Sequence, residues 1–311
     1  MRGKDTFGKA MEKVHEMSAN NHDETIPVVD MAFDSLDAMK IAGEEVKALP
    51  SAQRLLANRL RVPYSYLSRC PAELQAENLN YWIGQEARKR DTLFCRFNGD
   101  GLRAVFTDRY KVIDHTEILS KMLEYGFKPE TEVHYSLDSN LMVLKVPDYT
   151  RQFRLDREEI VPGISIANSE VGIVAFSIEA YFYRLVCSNG LVTRTEVTSR
   201  FKHISRKALD EFPEILRQVV YESEGSQRRF QGSLQSQVDD PLSSIGSFAR
   251  QFNLTKKETE AVQSAWEIEQ GFTLFHVINA FTRGAQDGSI SAEESYRLER
   301  VAGMILAMVR G

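Results

Sequence analysis

Between residues 92 and 115 apolar and polar positions alternate in two runs around Asn98-Gly99-Asp100-Gly101. Those four residues accept the positive φ of tight turns, so the pattern predicts a β-hairpin. Leu93, Cys95 and Phe97 share one face of the first strand, and Leu102, Ala104 and Phe106 share one face of the second. Phe94 and Arg96, with Arg103, Val105 and Thr107, fall on the opposite face, and Asp108-Arg109-Tyr110-Lys111 follows at once. The expectation is one apolar face for a core and one face carrying two arginines.

The same reading extends along the chain. Residues 1–34 are polar, broken by Asn20-Asn21-His22-Asp23, and read as a mobile N-terminal arm. Residues 35–49 and 51–60 read as helices, 64–70 as a short third after Pro63, and Pro71 opens a fourth carrying Leu74 and Leu79. From 92 to 197 the period becomes that of strands. Within it, 116–125 has helical spacing and is stopped by Gly126. Further hairpins are expected around Asp138-Ser139-Asn140 and Asn168-Ser169-Glu170, then a helix over 208–221. Residues 222–240 are rich in Ser, Gln and Gly and read as a linker. Beyond it Thr255 with Glu258, and Ser291 with Glu294, have capping-box spacing. The fold class is therefore α+β: an antiparallel sheet of successive β-hairpins with flanking helices over 35–221, and a helical C-terminal region over 241–311.

With 311 residues, 42% hydrophobic and 27% charged, the composition is that of a globular protein with a full core. A net charge of −5 argues against an indiscriminate DNA coater, though not against a local basic groove. Three cysteines, Cys70, Cys95 and Cys187, without a CxxC, point to packing in a reducing compartment. The start has no long apolar run, and 171–185 is interrupted by Ser177, Glu179 and Arg184. No secretory signal, no membrane partner and a cytoplasmic location are expected.

Motifs for chemistry are absent. There is no phosphate-binding GxxxxGK[ST], no GxGxxG after a strand and no GxSxG. Six histidines stand singly, without metal-ligand spacing, so no cofactor is expected. Acidic residues over 148–159 suit a metal-dependent nuclease, but 156–159 reads more simply as a charged helix start. A dispersed active site leaves no such trace, so enzymatic activity stays open with a non-enzyme favoured. Residues 53–70 fit a helix-turn-helix, with Arg61 where glycine usually sits and Pro63 opening the second helix; a plain helical hairpin fits as well. Residues 194–207 carry Arg194, Arg200, Lys202, Arg206 and Lys207 against a single acid, Glu196. Such a basic stripe suits phosphates.

Four strings, RLRVPYSYLSRCPAELQAENLNYWI, LRAVFTDRYKVIDHTEIL, YRLVCSNGLV and INAFTRGAQD followed by ERVAGMIL, together resemble the domain-of-unknown-function 932 family over about residues 45–310. Pro63, Leu67, Arg69, Pro71, Asn78, Trp82, Arg103, Asp108, Arg109, Tyr110, Arg184, Asn189, Gly190, Asn279 and Thr282 match best. The resemblance implies a phage or plasmid setting and supplies no activity. Trp82 and Pro71 are explicable as packing; Arg103, Arg109, Arg184 and Asn189 less readily so. Successive hairpins with intervening helices are also similar in pattern to single-strand annealing proteins of the Rad52 type, which hold DNA in the basic groove of an oligomeric ring.

Together these readings lead to a single-stranded DNA-binding protein, extending to strand annealing in recombination. Arg96, Arg103, Arg109, Lys111, Arg184, Arg200 and Lys202 are the expected phosphate contacts, and Tyr110 and Tyr183 the expected base-stacking rings. A duplex-binding regulator using Ser65, Ser68 and Arg69 is one alternative, and an anti-defence factor acting on a protein is another. Self-association is expected from the apolar density of Phe272, Leu274, Phe275, Val277, Ile278 and Phe281, which a central core helix explains equally well.

Overall fold

The computed structural model describes residues 1–156, 158–185, 189–193, 210–224 and 226–309. The chain opens with β1 (Arg2–Thr6), α1 (Phe7–Ser18), β2 (Asn21–Pro27), β3 (Met31–Phe33), β4 (Ala38–Ile41) and β5 (Glu44–Ala48). Three helices follow, α2 (Pro50–Leu60), α3 (Tyr64–Leu67) and α4 (Ala72–Ala87). Next come β6 (Thr92–Asn98), β7 (Gly101–Phe106), α5 (His115–Glu124), β8 (Glu132–Leu137) and β9 (Met142–Pro147). The strands end with β10 (Phe153–Leu155), β11 (Glu158–Asn168), β12 (Ser177–Arg184) and β13 (Asn189–Thr193). The remaining helices are α6 (Phe212–Glu224), α7 (Ser226–Gln235), α8 (Pro241–Gln251), α9 (Lys256–Glu269), α10 (Leu274–Gly284) and α11 (Ala292–Ala307). The fold is α+β, with the expected hairpin β6–β7, a second at β8–β9, and capping boxes at Thr255/Glu258 and Ser291/Glu294.

Two compact units are present, and neither is continuous in sequence. One comprises Met1–Met11, Glu117–Asn168 and Val174–Gly311; the other comprises Glu12–Thr116 and Ser169–Ile173. The first holds a sheet ordered β1-β8-β9-β11-β12-β13, with β10 on β11. Register places Lys4, His134, Lys145, Ser165 and Glu179 opposite one another across five strands. This polar row lies beneath α11, whose Glu299 binds Lys145 and whose Tyr296 hydroxyl donates to Glu179 at 2.6 Å. A low-dielectric interior tolerates such groups because each charge meets an opposite one. Elsewhere in the unit, Phe182 meets Phe230 of α7 edge-on at 5.2 Å.

The second unit holds a sheet ordered β2-β6-β7-β5-β4-β3, antiparallel except where β5 meets β7. On α2, Ala52, Leu56 and Leu60 fall on one face at four-residue spacing and are buried. They share a core with Leu79 and Ile83 of α4 and with Leu93, Cys95 and Leu102 of the hairpin. Each fully buried leucine contributes about 1.5–3 kcal/mol.

Several expectations are corrected. Residues 1–34 form β1, α1, β2 and β3 rather than a free arm. β2 is an edge strand of mostly exposed polar residues, which hides it in the composition. Residues 35–49 form the hairpin β4–β5, not a helix; its turn, Ala42-Gly43, has φ of 51° and 89°. Alanine there removes the usual turn signal, and Met, Glu and Lys favour helix when read locally. The expected linker 222–240 is largely α7 and the end of α6. Residues 156–159 lie in the β10–β11 hairpin, not at a helix start, with Arg157 outside the described residues. Phe275, Val277, Ile278 and Phe281 are buried in α10, so their density is that of a core helix. Among the described residues no helix is long and apolar enough to cross a membrane.

Candidate nucleic-acid interface

The hairpin that carries Arg96 and Arg103 contains an irregularity. Arg96 pairs with Ala104 while Phe97 pairs with Leu102, so Arg103 is the extra residue of a β-bulge. A bulge bends the strand and re-aims the side chain it carries. Both arginines turn toward the loop Ser169–Ile173 and are buried, Arg96 at 3% exposure and Arg103 at 4%. Arg103 Nη2 donates to Glu170 Oε2 at 2.7 Å. Arg96 grips Asp23 with Nε at 2.9 Å and Nη2 at 3.2 Å, reaches Asp114, and donates to the Glu170 carbonyl at 3.2 Å. The backbone N–H of His115 donates to Glu170 Oε1 at 2.8 Å.

These contacts set the charge states. Burial alone works against the Arg96 cation, but the hydrogen bonds it donates to Asp23 and Asp114 outweigh it and hold the proton more firmly than usual. Burial likewise pushes the Glu170 carboxyl up, and the interactions with His115 and Arg103 bring it below the usual carboxylate range. His115 is pushed down, chiefly by burial, against the pull of Glu170. The cluster therefore pins the loop Ser169–Ile173 and the stretch 107–115 to the strands.

On this base stands an aromatic column. The Tyr110 ring stacks on Phe106 with centroids 3.7 Å apart and planes 2° from parallel, and Phe94 lies 6.1 Å away. The Tyr110 hydroxyl approaches the Glu170 carbonyl at 3.5 Å. Gly172, at φ 76°, lets the loop backbone come against the Phe106 ring, since a Cβ there would lie 2.9 Å from it. All three rings are half-buried, and the residues flanking Tyr110, Arg109 and Lys111, are exposed.

The other expected contacts lie elsewhere. Arg184 is buried in the first unit, bidentate to Glu158 at 2.9 and 3.1 Å and bonded to Glu269 at 2.8 Å. Tyr183 is a core residue there, with His134 edge-on at 4.5 Å. Arg200 and Lys202 fall outside the described residues, as does Cys187. Ser65, Ser68 and Arg69 are exposed on or beside α3, which has a single turn. The structure thus brings Arg96, Arg103, Arg109, Tyr110 and Lys111 to one region and divides them by role. Two arginines are interior anchors and two cations face solvent. Sequence reasoning missed Asp23, Asp114, His115 and Glu170; a carboxylate in a turn between two apolar strands was the one available signal for Glu170. Cys95 is buried in the core, and burial pushes its thiol up to about 12. Among the described residues no group of three His, Cys, Asp or Glu is placed to hold a metal ion.

Residues 103–302 match the family described as "Domain of unknown function (DUF932)". The match begins at the bulge arginine and covers the aromatic column apart from Phe94; the string from Arg59 to Ile83 precedes it. No curated protein and no solved structure matches the chain, and the similarity to Rad52-type proteins is not shown by these comparisons.

Proposed function

We propose that this chain, which belongs to the DUF932 family of unknown function, binds single-stranded DNA through its second unit. The observation that carries the reading is the Tyr110 ring stacked on Phe106 between two exposed cations, Arg109 and Lys111. Exposed cations neutralise phosphates and release counterions, and an aromatic face accepts any base. Arg96 and Arg103 act as positioning residues, since both are neutralised by carboxylates within the unit. The reading extends to annealing of complementary strands in the phage or plasmid setting that the family resemblance implies. Single strands are preferred over duplex because α3 has one turn, short of what a groove-reading helix presents.

The test is fluorescence anisotropy of a labelled oligonucleotide, single-stranded and duplex, across a salt series. Salt-sensitive binding that favours the single strand is expected. Arg109→Glu with Lys111→Glu weakens it at least tenfold and lowers the salt slope by about 1.4, at ~0.7 per phosphate contact on a single strand. Unchanged affinity in a folded double variant refutes the site, and no binding at low salt refutes the function.

A further inference from the structure

Helix α4 buries little of itself. Leu79, Ile83 and Glu86 are its buried residues, and Glu86 is engaged by Arg59 and Arg90. At ~100° per residue, Leu74, Tyr81 and Trp82 fall within an arc of ~100° on one side of the helix, and the exposed Arg88 and Lys89 follow directly after its last turn. Tyr81 is 61% exposed and Trp82 42%, and their rings meet edge-on at 5.1 Å. Tyr66 of α3, 40% exposed, is tied to α4 through the interaction of its hydroxyl with Asn78. The other acids of the helix, Glu73 and Glu77, lie outside that arc. Trp82, expected as a packing residue, is therefore half in solvent.

Two neighbouring exposed rings, with a third on α3, keep apolar area in water, which a helix avoids unless something covers it. The composition of the arc decides what covers it. A greasy helix from another protein is poorly served by a surface ending in two adjacent cations. An anionic chain that presents flat rings is served by both parts, the aromatics taking bases and the cations taking phosphates. We infer that the α3–α4 face is a second contact surface for single-stranded DNA, distinct from the Tyr110 column. The inference rests on the single-strand reading above and adds a surface that lies before the family-matched residues.

Trp82 reports on its own contact. The chain has two tryptophans, Trp82 and Trp266, so Trp266→Phe leaves Trp82 as the sole emitter in the full-length protein. A labelled oligothymidine is titrated while its anisotropy and the Trp82 emission are followed together. The expected result is loss of most Trp82 emission as anisotropy rises, with both reversed by salt. Tyr81→Ala or Trp82→Ala weakens binding roughly tenfold each, as removal of one stacking ring does. Arg88→Glu with Lys89→Glu weakens it with a reduced salt dependence. All four positions are exposed, and an unchanged thermal melt verifies the fold. Rising anisotropy with constant Trp82 emission and unchanged affinity in these variants overturns the α4 surface and leaves the single-strand reading standing. No rise in anisotropy overturns that reading and the α4 surface with it.

Discussion

Acidification from pH 7 to pH 4 withdraws about 3 kcal/mol of stability through one residue, His134. Its side chain lies on β8 between Lys4 of β1 and Lys145 of β9, with the Tyr181 hydroxyl 3.3 Å from Nδ1 and Tyr183 against its ring. Burial, followed by the charges of Lys145 and Lys4, holds the imidazole down to about 4, against the weaker pull of Glu132. In the unfolded chain it titrates near 6.5. Between those values the unfolded state binds a proton that the folded state refuses, so stability rises with pH across that interval. At ~1.4 kcal/mol per pH unit for one proton, the interval from 6.5 to about 4 is worth about 3 kcal/mol. The contribution is complete above about 6.5 and lost by about 4. Urea denaturation at pH 7, 6, 5 and 4 measures it, with Trp266 as reporter in a Trp82→Phe background, because Trp266 belongs to the same unit as His134. Other groups titrate in this range as well, so the decisive quantity is the difference between parent and His134→Gln. The variant should lose about 3 kcal/mol less than the parent over the same range. Parallel pH profiles would refute the assignment.

Three further outcomes are expected. Glu170→Leu removes the carboxylate that faces the buried Arg103 and costs about 3–5 kcal/mol, whereas adding Arg103→Met restores most of it, because two apolar groups replace the buried pair; urea titration followed by Trp82 emission checks both, and a double variant no better than the single refutes the pairing. Thr255→Ala and Ser291→Ala each cost about 1 kcal/mol by removing a capping hydroxyl, measured as a lower urea midpoint. Ala42→Gly stabilises by about 0.5–1 kcal/mol, since residue 42 sits at φ 51° where a Cβ is strained; a lower melting temperature contradicts this.

Local pattern determined whatever depends on neighbours in sequence. The β6–β7 hairpin was legible because Asn98-Gly99-Asp100-Gly101 sits between alternating runs, but its faces were not: the bulge at Arg103 puts Val105, rather than Ala104 and Phe106, on the core face. The two capping boxes were legible because three-residue spacing is itself the contact. The helices α2 and α4 and the C-terminal helical region followed from periodicity. The hairpin β4–β5 did not, because Ala42 carries no turn signal and its strands are built of good helix formers. Edge strand β2 was masked by its mostly exposed polar residues.

The candidate site divides in the same way. Cations and aromatics on alternating strand positions could be listed from the sequence, but not their roles. Arg103 is an anchor because a bulge aims it at Glu170, 67 residues away, and Arg96 because Asp23 lies across the strand pair from it. Arg109 and Lys111 face solvent because the stretch that carries them is pinned at Asp114 and His115. A single chain read residue by residue contains the charges but not their partners. Whether a buried arginine is neutralised or a solvent-facing one is free to meet a phosphate is settled by contacts across long loops, and only the tertiary structure brings those together.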